Sequence, residues 1–190
     1  MIIGVTGTDG SGKDMVGRLL VEKLGWPYYS LSDEIREIAR ERGLTQSRET
    51  WANLGNELRE RYGPGYIAEL IMRQAGGKDL VVTSVRNPAE CESFRAQGRF
   101  ILIAVDAPIE TRYTRTAGRD RAGEAGWTLE DFRCHEEEVE MEGGEFGQRL
   151  RKMLEMADVK IVNDGTIEEL ERKVDKIVAE VKNVSSLHLG

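Results

Sequence analysis

Met1-Ile-Ile-Gly-Val-Thr-Gly-Thr-Asp-Gly-Ser-Gly-Lys-Asp14 opens the chain with an apolar run, a glycine-rich turn and then the helical periodicity of Lys13–Leu24. From Gly7 the letters fit the pattern G-x-x-x-x-G-K-[ST], except that Asp14 stands where a hydroxyl residue is usual. Glycines let successive backbone N–H groups point inward at phosphate oxygens, and the following helix adds its positive end. The strand, loop and helix come in the order this chemistry needs. Gly7, Asp9, Gly10, Ser11, Gly12, Lys13, Asp14 and Met15 are therefore the candidate nucleotide-binding residues. Lys13 would reach the outer phosphates as a point charge. Asp14 is the candidate Mg²⁺ ligand, because a carboxylate oxygen is as hard a donor as the usual hydroxyl.

The rest of the chain narrows the setting. At 190 residues, one domain with a core needing no disulfides is the expectation. Cys91 and Cys134 stand far apart in neither metal nor redox spacing, which fits a reducing compartment. Apolar stretches are too short to span a membrane, and Met1 leads straight into a strand, so a cytoplasmic protein is expected. A net charge of −7 argues against a general nucleic-acid surface, so local basic groups must hold any bound anion.

Apolar runs alternate with helical periodicity, which reads as βα units around a parallel sheet. Strands are expected at Ile2–Thr6, Pro27–Leu31, Leu80–Val85, Phe100–Val105 and Val159–Val162. Helices are expected at Lys13–Leu24, Asp33–Arg42, Arg48–Tyr62, Tyr66–Ala75, Ala89–Gln97, Ile109–Thr116, Leu129–Glu142, Phe146–Met156 and Ile167–Lys182. Thr166 and Glu169 stand in capping-box spacing before the last helix. Residues 1–183 are read as one domain and 184–190 as a flexible tail. Extra helices at about 33–76 and an Arg- and Gly-rich stretch at about 112–128 both start from the strand edge where ligands bind in such sheets.

Four groups can carry chemistry. Arg48, Ala52, Gly55 and Arg59 form a helical stripe in which two guanidinium groups flank two very small side chains. A mid-helix glycine costs about 1 kcal/mol against alanine, so Gly55 permits close approach of either a neighbouring helix or a substrate. Arg86 leaves the third strand where an acceptor phosphate can lie, or else pairs with Glu90 or Glu92. No carboxylate ends that strand at Ser84, and Asp14 is a candidate replacement for the missing charge. Arg112, Arg115 and Arg119, followed by Arg121, read as a mobile basic cover with Gly118, Gly123 and Gly126 as hinges, or as a solvated helix face. Asp33 can orient an acceptor, take its proton or stand near Mg²⁺; it can equally be a first-turn charge beside a Ser32 cap. Asp9 can orient the acceptor from within the loop, or can equally be an outward-facing loop carboxylate. Asn163 and Gly165 follow the last strand and can approach a purine edge. Cys134-His135 with Glu136–Glu138 reads as a solvated face and is given no site.

With these pieces placed, the chain resembles the P-loop nucleoside monophosphate kinase superfamily. Gly12-Lys13-Asp14, the stripe Arg48–Arg59 and Ser84-Val85-Arg86-Asn87-Pro88-Ala89-Glu90 look like phage-type deoxynucleoside monophosphate kinases. The last of these is similar to that family's Asp-Val-Arg-Phe-Pro-Asn-Glu, with Ser84 replacing the Asp. Asp33, the stretch Arg115–Arg121 and Asn163-Asp-Gly-Thr166 are more similar to dephospho-coenzyme A kinases. The resemblance implies an α/β, three-layer P-loop kinase fold with a five-stranded parallel sheet, a helical acceptor-binding insertion at about 33–76 and an Arg-rich lid at about 112–128. ATP with Mg²⁺ would dock on Gly7–Asp14, with Arg115, Asn163 and Gly165 nearby. The acceptor would meet Asp9, Asp33, Arg48, Ala52, Gly55, Arg59 and Arg86. Lys13, Asp33, Arg86, Arg115 and Arg119 would then act in transfer. The partner is a small-molecule acceptor, a nucleotide or dephospho-coenzyme A, with no nucleic acid or membrane and a monomer or homodimer. The alternative of another class is a nucleotide-binding regulatory module with little or no kinase activity.

Overall fold

A computed structural model of the chain describes residues 1–117, 126–141 and 144–186. Strand alternation explains its centre. In β1 (Ile2–Gly7), Ile2 turns to one face of the sheet while Ile3 and Val5 turn to the other. β1 lies between β3 (Leu80–Thr83) and β4 (Phe100–Asp106), with Ile2 opposite Leu80 on one side and Phe100 on the other. Outside them run β2 (Tyr28–Ser30) and β5 (Val159–Val162), so the five-stranded sheet has the order β2-β3-β1-β4-β5, parallel throughout.

Both faces are covered, as an all-parallel sheet requires. On one face α1 (Lys13–Leu24) and α9 (Ile167–Ser186) bury Ile3, Val5, Val81, Ile103 and Ile161. The other face carries α2 (Leu31–Glu41), α3 (Arg48–Tyr62), α4 (Tyr66–Ala75), α5 (Pro88–Ala96) and α8 (Leu150–Met156), packed on Ile2, Leu80, Val82 and Leu102. The remaining helices, α6 (Ile109–Thr116) and α7 (Leu129–His135), follow β4. Helix α1 comes close to the sheet because Gly17 has no side chain; a Cβ there would lie 2.4 Å from the Thr83 methyl. This is the three-layer architecture expected. Among the described residues no helix is long and apolar enough to cross a membrane.

The differences from expectation have local causes. β3 stops at Thr83 rather than Val85, because Ser84 takes a left-handed φ of 62° and leaves the ladder. Helix α2 starts at Leu31, earlier than the expected Asp33, and its cap is Ser30, whose Oγ accepts the Asp33 N–H at 3.3 Å, rather than Ser32. The helix expected over Leu129–Glu142 passes at Glu136 into a π-helical segment, Glu136–Met141. The helix expected from Phe146 begins only at Leu150. The carbonyls of Glu145, Phe146 and Gly147 are instead taken by side chains of Asn87 and Arg59. The Thr166–Glu169 capping box forms as read, and α9 continues past Lys182 to Ser186, into the stretch read as tail.

Cys91 sits in the core on α5, fully buried beside Glu90. Burial first, and then the Glu90 charge, push its thiol from about 9 up to about 12. The folded chain keeps that proton while an unfolded chain gives it up above its ordinary pKa, so the stabilisation is complete below pH 9 and is lost as pH rises towards 12. Cys91→Ala is therefore expected to flatten the alkaline fall in stability between those limits, measured as urea midpoints against pH. An unchanged slope would count against it.

Candidate active site

The loop after β1 is built as a cradle. Gly10 and Gly12 hold φ of 75° and 92°, where a side chain would be strained. Space is also lacking: a Cβ on Gly12 would stand 2.4 Å from Asn163 Nδ2, and one on Gly10 2.6 Å from the Arg112 carbonyl. Gly12 caps α1 without a side chain, so no side-chain oxygen takes the first-turn N–H groups. The buried Ser11 hydroxyl has no hydrogen-bond partner among the described residues. An anion at this helix end would meet both.

Other elements fasten the loop from behind. Asn163, at the end of β5, donates to the Ser11 carbonyl at 2.8 Å, and Arg115 donates to the Asn163 carbonyl at 3.1 Å. Thr8 donates to Asp106 at the end of β4, at 2.7 Å. Buried Arg112 donates to the carbonyls of Ala107 (2.8 Å) and Asp9 (3.5 Å) and pairs with buried Glu136. Two readings change here. Arg112 is a structural brace rather than part of a mobile cover, and Glu136 is its partner rather than a solvated charge. Arg119 and Arg121, with Gly118 and Gly123, lie outside the described residues.

In front of the loop opens a cavity of about 300 Å³. Asp9, Lys13 and Asp14 form its loop side; Arg48, Ala52, Gly55 and Arg59 of α3 face it, with Ser84 and Arg86 at the end of β3 and Asp33 on α2. The helical stripe and the strand-end residues are thus brought together on one space. Gly7, Gly10, Ser11, Gly12, Met15, Arg115, Asn163 and Gly165 do not line it. Met15 is exposed on α1, and Gly165 makes room for Glu169 to reach back to Thr166.

Much of the charge in this space is paired. Asp9 is 4% exposed; it accepts from Arg48 Nη2 at 2.6 Å and stands 4.0 Å from Lys13 Nζ. One carboxylate therefore ties the loop lysine to α3. Asp33 pairs with Arg36 one turn on. Arg59 lies back over Gly55, where a Cβ would be 3.3 Å from its Nη1 and 3.1 Å from Ile35 of α2, so the glycine admits both a neighbouring helix and its own arginine. That guanidinium donates twice to Glu90 Oε1, at 2.9 and 3.1 Å. Glu90 Oε2 takes the backbone N–H groups of Arg86 (2.8 Å) and Asn87 (3.0 Å). So Glu90 pairs with the side chain of Arg59, not of Arg86. The Arg86 side chain donates to Gln148 at 2.7 Å.

Several lining residues had no role in the reading of the sequence. Trp51 is half-buried and borders the cavity with Arg36 over its ring at 4.9 Å. Arg18 stands one helical turn from Asp14, a spacing that could have flagged it. Tyr28 donates to or accepts from Thr83 at 2.9 Å; burial raises its phenol above the ordinary value, so it stays neutral. Gln148 comes from a segment whose proximity only the fold decides.

Residues 3–142 match the family model of an AAA domain. A UPF0200 protein of Pyrococcus horikoshii is 32% identical over 189 residues, covering 95% of this chain and 97% of that protein. One of Thermococcus kodakarensis is 34% identical over 189 residues, with 95% and 98% covered. Among solved structures, TT1252 from Thermus thermophilus has a TM-score of 0.60 at 24% identity, covering 95% of this chain and 97% of that one. A gluconokinase from Sinorhizobium meliloti has a TM-score of 0.57 at 15% identity, covering 97% and 95%. A shikimate kinase from Aquifex aeolicus has 0.54 at 20%, covering 97% and 98%. The fold is that of P-loop kinases.

Proposed function

The chain belongs to the UPF0200 family and carries an AAA domain, and on that premise we propose that it is an ATP-dependent small-molecule kinase acting on a (deoxy)nucleoside monophosphate. The observation that carries this reading is the shared cavity. Lys13 borders it on the loop side, and Arg48 and Arg86 supply a second anion-binding wall facing it, while Arg59 behind them is taken by Glu90. A mere nucleotide sensor needs no such second wall.

In this reading the loop amides and Lys13 hold the donor phosphates, and Arg48 and Arg86 bring the acceptor phosphate alongside. Positioning and charge stabilisation account for most of the catalysis of phosphoryl transfer. Asp9 keeps Lys13 and Arg48 close together until phosphate oxygens replace it. Arg115 and the basic stretch after it, to about residue 128, would close over the donor, with Arg112 staying behind as a brace, and α2 to α4 would shape the acceptor region. Asp14 fits a Mg²⁺ ligand: its exposed carboxylate borders the cavity beside Ser84 and makes no ion pair among the described residues. Bound there, the metal would neutralise charge on the donor phosphates.

ADP release measured over a panel of nucleoside monophosphates and dephospho-coenzyme A tests the proposal. Acceptor-stimulated turnover is expected with a nucleoside monophosphate. Its absence across the panel would leave a nucleotide-binding module and end the kinase reading. Asp33→Asn separates the two acceptor classes. A phosphate oxygen is already ionised and needs no base, so the variant should keep kcat within about threefold; a hydroxyl acceptor needs proton removal, and a fall of about a hundredfold or more would mark it.

A further inference from the structure

The segment 145–149 crosses the end of β3 as a pinned strap. Asn87 Nδ2 donates to the carbonyls of Glu145 (2.8 Å) and Gly147 (3.0 Å). Arg59 Nη1 donates to the Phe146 carbonyl at 3.4 Å, and the Arg149 N–H donates to the Arg86 carbonyl at 2.8 Å. The pins come from rigid ground, since Asn87, Arg59 and Glu90 are 2%, 3% and 0% exposed. The strap seats one side chain in the cavity, Gln148. Its Oε1 is used by Arg86 at 2.7 Å, while its Nε2 meets no acceptor among the described residues.

We propose that Gln148 is a further acceptor-binding residue: its carboxamide N–H₂ donates to an anionic oxygen of the acceptor that Arg86 also grips. The choice of amide over carboxylate is chemically specific. A neutral oxygen orients the guanidinium without adding negative charge to a site meant for an anion, and only an amide has N–H groups left over for the ligand. This rests on the kinase reading.

Gln148→Glu and Gln148→Met in the full chain test it, using the nucleoside monophosphate that the wild type turns over best. The carboxylate removes the donor and repels the anion; methionine removes the donor together with the oxygen that Arg86 uses, and adds no charge. Q148E is expected to raise the acceptor KM about tenfold to a hundredfold and Q148M about threefold to tenfold, a range set by hydrogen bonds to charged groups. The KM for ATP should stay within about twofold and Tm should be unchanged. Three equal acceptor KM values would overturn the inference and leave the kinase standing. A rise in ATP KM or a drop in Tm that tracks the acceptor effect would make Gln148 merely structural and also overturn it. No wild-type turnover with any monophosphate would remove the kinase reading, and this inference with it.

Discussion

Glu90→Ala should destabilise the protein by about 3–5 kcal/mol, the range for removing one partner of a buried ion pair. Glu90 is 0% exposed and accepts four hydrogen bonds, two from Arg59 and one each from the Arg86 and Asn87 backbones. Alanine would leave a buried guanidinium with no carboxylate to answer it and strip two N–H groups of their acceptor. Desolvation is the larger part of the loss, because Arg59 is only 3% exposed. The double variant Arg59→Leu/Glu90→Leu removes both charges and should recover much of the loss. Urea midpoints measure both. A single-variant loss under about 1 kcal/mol would show that water already reaches the pair.

Lys13→Met should lower kcat about a hundredfold to a thousandfold, the usual effect of losing one preorganised charge-stabilising group. Methionine keeps the length and loses the charge. Folding should survive, because Asp9 keeps its 2.6 Å contact with Arg48. Steady-state ADP release, with far-UV circular dichroism as the control on folding, reads the outcome. Turnover within tenfold of wild type would remove Lys13 from the chemistry.

Local features were legible in the sequence. The strand–loop–helix at Gly7–Lys13 declares itself because glycine positions, lysine and helix start lie within one short stretch. The Arg48–Arg59 stripe follows from helical spacing alone. Gly55 could be flagged as a close approach, but not what approached. Pairings across the fold were not legible. By sequence spacing Glu90 was within reach of Arg86, and only the fold brings Arg59 of α3 to it instead. Arg112 looked like its neighbour Arg115, yet it points back towards the loop and Glu136, while the helix carrying Glu136 changes its winding there. The late start of α8 was hidden for the same reason: distant side chains had claimed the carbonyls of its expected first turn.

The position of β1 has a consequence for the growing chain. β1, the middle strand of the sheet, is made before either of its neighbours, β3 and β4, which begin at Leu80 and Phe100. On the ribosome, Ile2–Gly7 must therefore wait, apolar and unpaired, until the chain has grown past Leu80. The loop waits longer still, since Asn163 closes on Ser11 across 152 residues of sequence. A nascent chain truncated before β5 would thus have its nucleotide motif complete in letters but unbraced in space.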